Sequence, residues 1–366
     1  MITTRMLSGL KAGFLCGLVT IEMFKKKRSW LYEFGQMMLF TFCFLASGHV
    51  ESHSKEVLIK RSQFLMGTLV FVTGVAPEEA AARNAVAEGL AEIGRIEKLM
   101  STWISTSELS KVNAAGGKHP VQVSPENMEV LKASLRMAEL TEGGFNIAVG
   151  PAVAAWNVSQ EGRIPSQEEL DAVRPFIALS QIHLDEQGST VFLKRAGMQI
   201  DVGGIGKGFA ADLVVEVMKA AGATAGVVAL SGDIKTFGRM PDQEPFVFGI
   251  QHPRKEQGQI LGRIALENEA VSTAGDYQRY IMKDGIRYHH ILNPSTLQPA
   301  RGCQSVTVIA KDGVMADGLD TGIFVMGPEK GMALIESLSD VEGVIVDEHG
   351  KIYISSGLQS RIQLEL

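Results

Sequence analysis

Three turn signals constrain the fold of this chain more than any other feature. Asp185-Glu-Gln-Gly188 separates apolar runs at 182–184 and 190–193, and Lys283-Asp-Gly285 separates runs at 277–282 and 286–291. Asp347-Glu-His-Gly350 lies inside a third such segment, 343–354. Short acidic turns closed by glycine reverse the chain between neighbouring antiparallel strands, because glycine accepts the left-handed backbone that the turn demands. Further strand-length runs occupy 225–230, 246–251 and 305–310, and 64–72 reads as one strand with Gly67 inside it, a place where a ligand or another backbone comes close.

Helical periodicity fills the intervals. Ala82, Val86, Leu90, Ile93 and Ile96 recur at spacings of three and four through 77–100. Met128, Leu131 and Leu135 do the same in 125–141, which stops at Gly143-Gly144, and Phe209, Leu213 and Val217 mark 208–221. Hairpin turns outnumber helical crossovers. The expected class is therefore α+β, a mixed and largely antiparallel sheet core flanked by helices. There is no internal repeat, and no linker long enough to separate independent domains.

The first fifty residues differ from the rest. Lys25-Lys-Lys-Arg28 precedes the apolar run 37–46 and the small residues Ala46-Ser-Gly48, the order of a secretory signal peptide. The run from Trp30 to Gly48 nearly reaches spanning length but is interrupted by Glu33, so 1–50 is read as a signal peptide or an uncleaved N-terminal anchor. Met23 offers an alternative start, which would make 1–22 an extension. Export leaves Cys303 as the lone thiol of the processed chain, so no internal disulfide is expected. A formal net charge of −6 with no basic stripe argues against nucleic acid as a partner.

Candidate chemistry sits in a few segments. Asp317-Gly-Leu-Asp320-Thr321 on a helix puts Asp317 and Thr321 on one face, and hard oxygens gathered that way suit Mg²⁺ with a substrate phosphate. Alone, the same pentapeptide would serve as a helix start with capping residues. Asp201-Val-Gly-Gly-Ile-Gly-Lys207-Gly208 follows an expected strand at 198–200 and holds four glycines. It lacks the Ser/Thr of a phosphate-binding P-loop and the spacing of a dinucleotide fingerprint. What remains is bare backbone, helix-start amides and Lys207, which together favour an anion; the bland alternative is a tight strand–helix turn with a surface lysine. His289 and His290 end a strand on opposite faces, so only one can serve a given cleft as a base. Trp103, in a loop of hydroxyl residues, could be a stacking wall for a planar ring or a plug at a helix end. Ser231-Gly232-Asp233 closes the strand 225–230, in a place where site residues often sit or as an ordinary turn.

Taken in order, these segments resemble the ApbE family, the FAD:protein FMN transferases. The matching stretches are Met66-Gly-Thr, 100–110, Gly144-Phe-Asn with Val149-Gly-Pro, 201–212, Val271-Ser-Thr-Ala-Gly-Asp-Tyr, His289-His-Ile-Leu-Asn-Pro and 317–327, which place an ApbE-like domain at 60–366. The resemblance implies Mg²⁺-dependent cleavage of FAD, taken as substrate, with FMN esterified to a threonine of an exported acceptor and AMP released. It implies a FAD site of Met66, Trp103, Gly144, Phe145, Asn146, Asp201, Lys207 and Ile291, and a metal held by Gly204 through its carbonyl with Asp317, Asp320 or Thr321. His290 would be the base. The implied acceptors are subunits of membrane redox complexes of the Na⁺-translocating NADH:quinone reductase or Rnf type, and the implied location is the periplasm, free or attached to the inner membrane. Asn146 and Asn293 stand where the family more often has Asp, and Thr296-Leu297 and Ser231-Gly-Asp also depart from its pattern. FAD hydrolysis to FMN and AMP, and flavin binding without chemistry, are the alternatives.

Overall fold

The computed structural model describes residues 56–158, 162–256 and 258–365. The leader expected at 1–50 lies outside them, and among the described residues no helix is long and apolar enough to cross a membrane. Eight strands form the central sheet, in the order Val57–Leu65, Thr68–Ala76, Ala225–Leu230, Asp233–Phe237, Ala270–Gly275, Cys303–Ala310, Val341–Asp347 and Ile352–Ile354. Every neighbouring pair in it runs antiparallel. The α+β class expected from the turn signals is therefore what the chain adopts, with hairpins joining three of the seven neighbouring pairs of the central sheet.

Both faces of this sheet are covered, which explains the near-continuous apolar runs of its central strands. Val228, Leu230, Val306, Val308 and Ile345 share one core with Val86, Ile93, Val214, Met218 and Phe324 from the helices. Their alternates Val227, Ala229, Ile309, Val344 and Val346 share a second core with Phe248, Ile264 and Leu266, from the small sheet of Phe246–Gln251, Ile260–Leu266 and Ile362–Leu364. Side chains alternate across a strand, so covering two faces buries every residue of Ala225–Leu230 and of Cys303–Ala310. On the helical side, Glu79–Met100 packs on Gly206–Ala220, which packs on Gly313–Met326.

Two expected strands differ. The segment 64–72 is a hairpin rather than one strand: Leu65 pairs with Thr68 across a turn in which Met66 (φ 51°) and Gly67 (φ 68°) are both left-handed. Methionine in that conformation carries no turn signature, so the reversal was hidden. Residues 198–200 form no strand. The Asn113 side chain accepts from the Ile200 N–H at 2.8 Å and donates to the Ile200 carbonyl at 2.9 Å, satisfying the backbone a neighbouring strand would have paired.

Candidate active site

Glycines let two helices approach closely enough to build the site. A methyl group on Gly208 would overlap the Gly313 carbonyl oxygen, and one on Gly313 would lie 2.5 Å from the Gly208 oxygen. The contact brings the Gly208 N–H to Oδ2 of Asp317 at 2.8 Å. The glycine-rich bend and the Asp/Thr helix are therefore in direct contact, as the metal reading requires. Asp212 holds the start of Gly313–Met326 by accepting from the N–H groups of Gly313 (2.7 Å) and Val314 (2.9 Å).

Three buried carboxylates meet next to this junction. Asp233, Asp317 and Asp320 each place an oxygen within 4.8 Å of the others. Lys207 pairs with Asp233, so its ammonium is committed inside the cluster rather than presented as a free phosphate-binding cation. Burial alone would lower the Lys207 pKa, but Asp233, followed by Asp317 and Asp320, raises it and keeps the lysine charged. Burial, reinforced by Asp233, pushes Asp317 up to about 7, and burial with Asp317 and Asp233 pushes Asp320 well above the usual carboxylate range. Ser272 Oγ contacts both Asp233 and Asp320, the latter at 2.6 Å. One hydroxyl donates one proton, so the second contact is satisfied when that carboxylate carries the proton itself. With all three carboxylates ionised, three negative charges face one ammonium. The remainder of −2, on hard oxygens, fits a divalent cation of the magnesium type.

Of the other residues singled out in the sequence, Gly204, Gly144 and Phe145 pack against the Asp/Thr helix. A methyl on Gly204 would lie 3.2 Å from Thr321 Oγ1 and 3.4 Å from the Phe145 ring, and one on Gly144 would lie 2.7 Å from the Gly322 oxygen. Bend, Asp/Thr helix and the 144–145 segment thus form one wall. Thr321 donates to Asp320 Oδ1 at 3.0 Å, leaving its oxygen beside Gly204. Asp201, whose pKa is raised by burial, accepts from the Gly203 N–H at 2.7 Å. It also lines a groove of about 470 Å³ with Trp103, Asn113, Asn157 and Gln199. Trp103 is 66% exposed there, so it does not plug the helix end and stands free to stack.

Three further positions expected at the FAD site are each held by contacts within the chain. Asn146 caps a short turn through Ala148 N–H at 2.7 Å and donates to the Ile177 carbonyl at 3.2 Å, which uses both ends of its amide. Ile291 is buried in the main core, its carbonyl accepting from Ala300 N–H at 2.9 Å. Met66 sits on the first hairpin turn with its N–H on Glu97 Oε1 at 2.8 Å, at the same end of the sheet as Ser231-Gly232.

The two histidines separate as alternation requires. His289 is buried, with Nε2 2.9 Å from the Ala300 carbonyl and Nδ1 accepting from the Ile291 N–H at 3.3 Å, so it is structural. His290 is half-buried, and its Nδ1 lies 3.3 Å from the Arg279 carbonyl. That contact puts the proton on Nδ1 and leaves the Nε2 lone pair as the acceptor. Desolvation, with the positive charges of Arg279 and Lys207, pushes its pKa down to about 3.

Asp233 and Ser272 escaped the sequence reading as site residues. Asp233 stood in a segment that also reads as an ordinary turn, and Ser272 within a stretch noted only as a motif. The one available signal was that Ser231-Gly-Asp233 closes a strand, a place where site residues often sit.

Three buried carboxylates walled by glycines at one end of an antiparallel sheet make a candidate cation site, of the kind that can assist group transfer. The pattern of the ApbE family matches residues 66–345, and the chain belongs to that family. It is 35% identical to the FAD:protein FMN transferase of Vibrio cholerae over 266 residues, 71% of this chain and 79% of that protein. Against the FAD:protein FMN transferase of Treponema pallidum it is 30% identical, covering 83% and 88%. The fold matches the ApbE protein of Thermotoga maritima with a TM-score of 0.78 at 31% identity, covering 83% of this chain and 99% of that one. It matches the flavin transferase ApbE of Vibrio cholerae with a TM-score of 0.74 at 30% identity, covering 84% and 99%. The chain is accordingly an enzyme of the transferase class.

Proposed function

We propose that this chain transfers the FMN half of FAD to a threonine hydroxyl of an exported protein, with Mg²⁺, releasing AMP. The observation that carries the reading is the Asp233–Asp317–Asp320 cluster, with its surplus of two negative charges, set against Gly204 and Thr321. The curated relatives named above share the activity in their names. Asp317, Asp320 and Asp233, with Thr321 and the Gly204 carbonyl, would hold the cation. Bound there, it would neutralise the diphosphate and stabilise AMP as it leaves.

The chain's own residues supply the rest. The positive end of the helix Gly206–Ala220 faces an anion of the chain itself, the Asp317 carboxylate, which accepts from the Gly208 N–H. Lys207 keeps the carboxylates poised by balancing one of their charges. Trp103 offers an exposed face for a planar ring. In the transfer, the threonine oxygen forms a bond to the FMN phosphorus and the phosphorus–oxygen bond to AMP breaks. The hydroxyl proton passes to His290 Nε2, which is unprotonated at neutral pH. Phosphoryl-type transfer is governed mainly by positioning and charge stabilisation, so this small set of groups is enough. We propose the periplasm as the site of action, and threonine-bearing subunits of membrane redox complexes as acceptors, on the strength of the leader pattern and the family.

Incubation with FAD, Mg²⁺ and a threonine-containing acceptor domain, followed by denaturation, tests this directly. Flavin fluorescence that stays on the acceptor is the expected result. Free FMN and AMP without labelling would make the chain a FAD pyrophosphatase, and intact FAD would make it a flavin-binding protein.

A further inference from the structure

Asp276 is a buried carboxylate that the proposed reaction does not use. It follows the strand Ala270–Gly275, whose Ser272 reaches into the cluster to Asp233 and Asp320. Its backbone N–H donates to the Gln304 carbonyl at 3.1 Å, which fixes it against Cys303–Ala310. Its side chain takes two guanidinium groups. Arg254 donates through both terminal nitrogens, to Oδ1 and Oδ2 at 2.7 Å each, and Arg287 donates to Oδ1 at 3.1 Å. One arginine would be enough to balance the buried charge. A two-pronged contact shared with a second arginine also fixes direction, because each N–H must meet its own oxygen lone pair.

The clamp ties separate parts of the chain to one point. Arg254 belongs to the turn after Phe246–Gln251, where His252 Nδ1 accepts from the N–H groups of Arg254 (3.1 Å) and Lys255 (3.2 Å). Arg287 belongs to Ile286–His289, the strand that delivers His290. Asp276 itself opens the segment that runs to Arg279. The Arg279 carbonyl accepts the His290 N–H at 3.1 Å and lies 3.3 Å from His290 Nδ1. His290 therefore leans on Asp276 from both sides, through Arg287 on the strand before it and through the backbone of 276–279 beside it. Along the strand Ala270–Gly275, the same residue is tied to Ser272 in the cluster.

We infer that Asp276 is a positioning residue for the transfer: by holding Arg254 and Arg287 it sets His290 at a fixed place relative to the Asp233–Asp317–Asp320 cluster. The inference rests on the transferase reading, in which the cluster governs the FAD phosphates and His290 Nε2 takes the threonine proton. That step depends on spacing, since a displacement of about 1 Å can cost a factor of about 10². Asp276 acts through His290 and not on the substrate.

Asp276→Asn keeps the shape of the side chain and removes its charge. With FAD, Mg²⁺ and the threonine-containing acceptor domain at saturation, it should lower kcat about tenfold, with the acceptor KM and the FAD affinity unchanged. Added to His290→Ala, it should slow transfer no further, because the group it positions is gone. Arg287→Gln cuts the link to the strand alone and should behave in the same way, so it carries the test if Asp276→Asn does not fold. An unchanged kcat in the single variants, or losses that multiply with that of His290→Ala, overturns the inference. So does a loss confined to FAD or Mg²⁺ affinity. A wild type that labels no acceptor removes the transferase reading and the positioning role with it. Labelling by the wild type, with multiplying losses in the variants, removes the positioning role alone.

Discussion

Asp317 answers to two demands at once. Its Oδ2 accepts the Gly208 N–H, and its carboxylate completes the cluster with Asp233 and Asp320. Asp317→Ala removes both, so flavin transfer should fall about a thousandfold. Urea unfolding should show a loss of about 2 kcal/mol from the orphaned buried amide. Activity retained in that variant would reject the metal assignment. His290→Ala should lower the transfer rate by less than the ~10²–10⁴-fold of a base whose pKa lies near working pH, while FAD affinity, measured by fluorescence titration, stays the same. With its pKa down at about 3, His290 is neutral from pH 5 to 8, so no acid limb near 6.5 in the kcat profile should belong to it. A limb at 6.5 that vanished in His290→Ala would contradict the structure.

At the scale of elements, the decisive contact is that of Gly206–Ala220 with Gly313–Met326. It is a glycine-to-glycine approach, at Gly208 and Gly313, with backbone oxygens in the space a side chain would need. Backbone cannot swing aside as a flexible side chain can. Gly208→Ala should therefore cost about 3 kcal/mol, read as a lower urea midpoint, and should weaken Mg²⁺ binding by separating the bend from Asp317. Loss of stability with the metal affinity intact would show that the two helices do not jointly form the site. Asp212, bonded to two amides at the start of the second helix, fixes the same geometry from outside the cluster.

For the molecule as a whole, the cluster links stability to pH and to metal. In the metal-free protein the folded state holds the Asp317 proton more tightly than the unfolded chain does. Its stabilising contribution is present below the ordinary 3.8 and is lost as pH rises toward about 7. Cation binding needs the ionised form, so it works in the opposite sense. Saturating Mg²⁺ should raise the melting temperature by about 5 °C at pH 8 and by clearly less at pH 6. Equal shifts at both pH values in differential scanning fluorimetry would exclude Asp317 as a ligand.

Much of this was legible in the sequence because it is local. Acidic-glycine turns, helical spacing and the i, i+4 placement of Asp317 and Thr321 are set by backbone geometry over a few residues, and so were the antiparallel fold and the opposed faces of His289 and His290. What stayed hidden depends on partners distant along the chain. Asp233 became a cluster member, and Lys207 an ion-paired rather than a free cation, only because strand order places the end of Ala225–Leu230 under two converging helices. Asn113 likewise replaced an expected strand by pairing with Ile200 from afar. The sequence by itself determined the kinds of element and the chemical types of the groups. The tertiary structure alone decided which charges meet, because burial and proximity belong to no single segment.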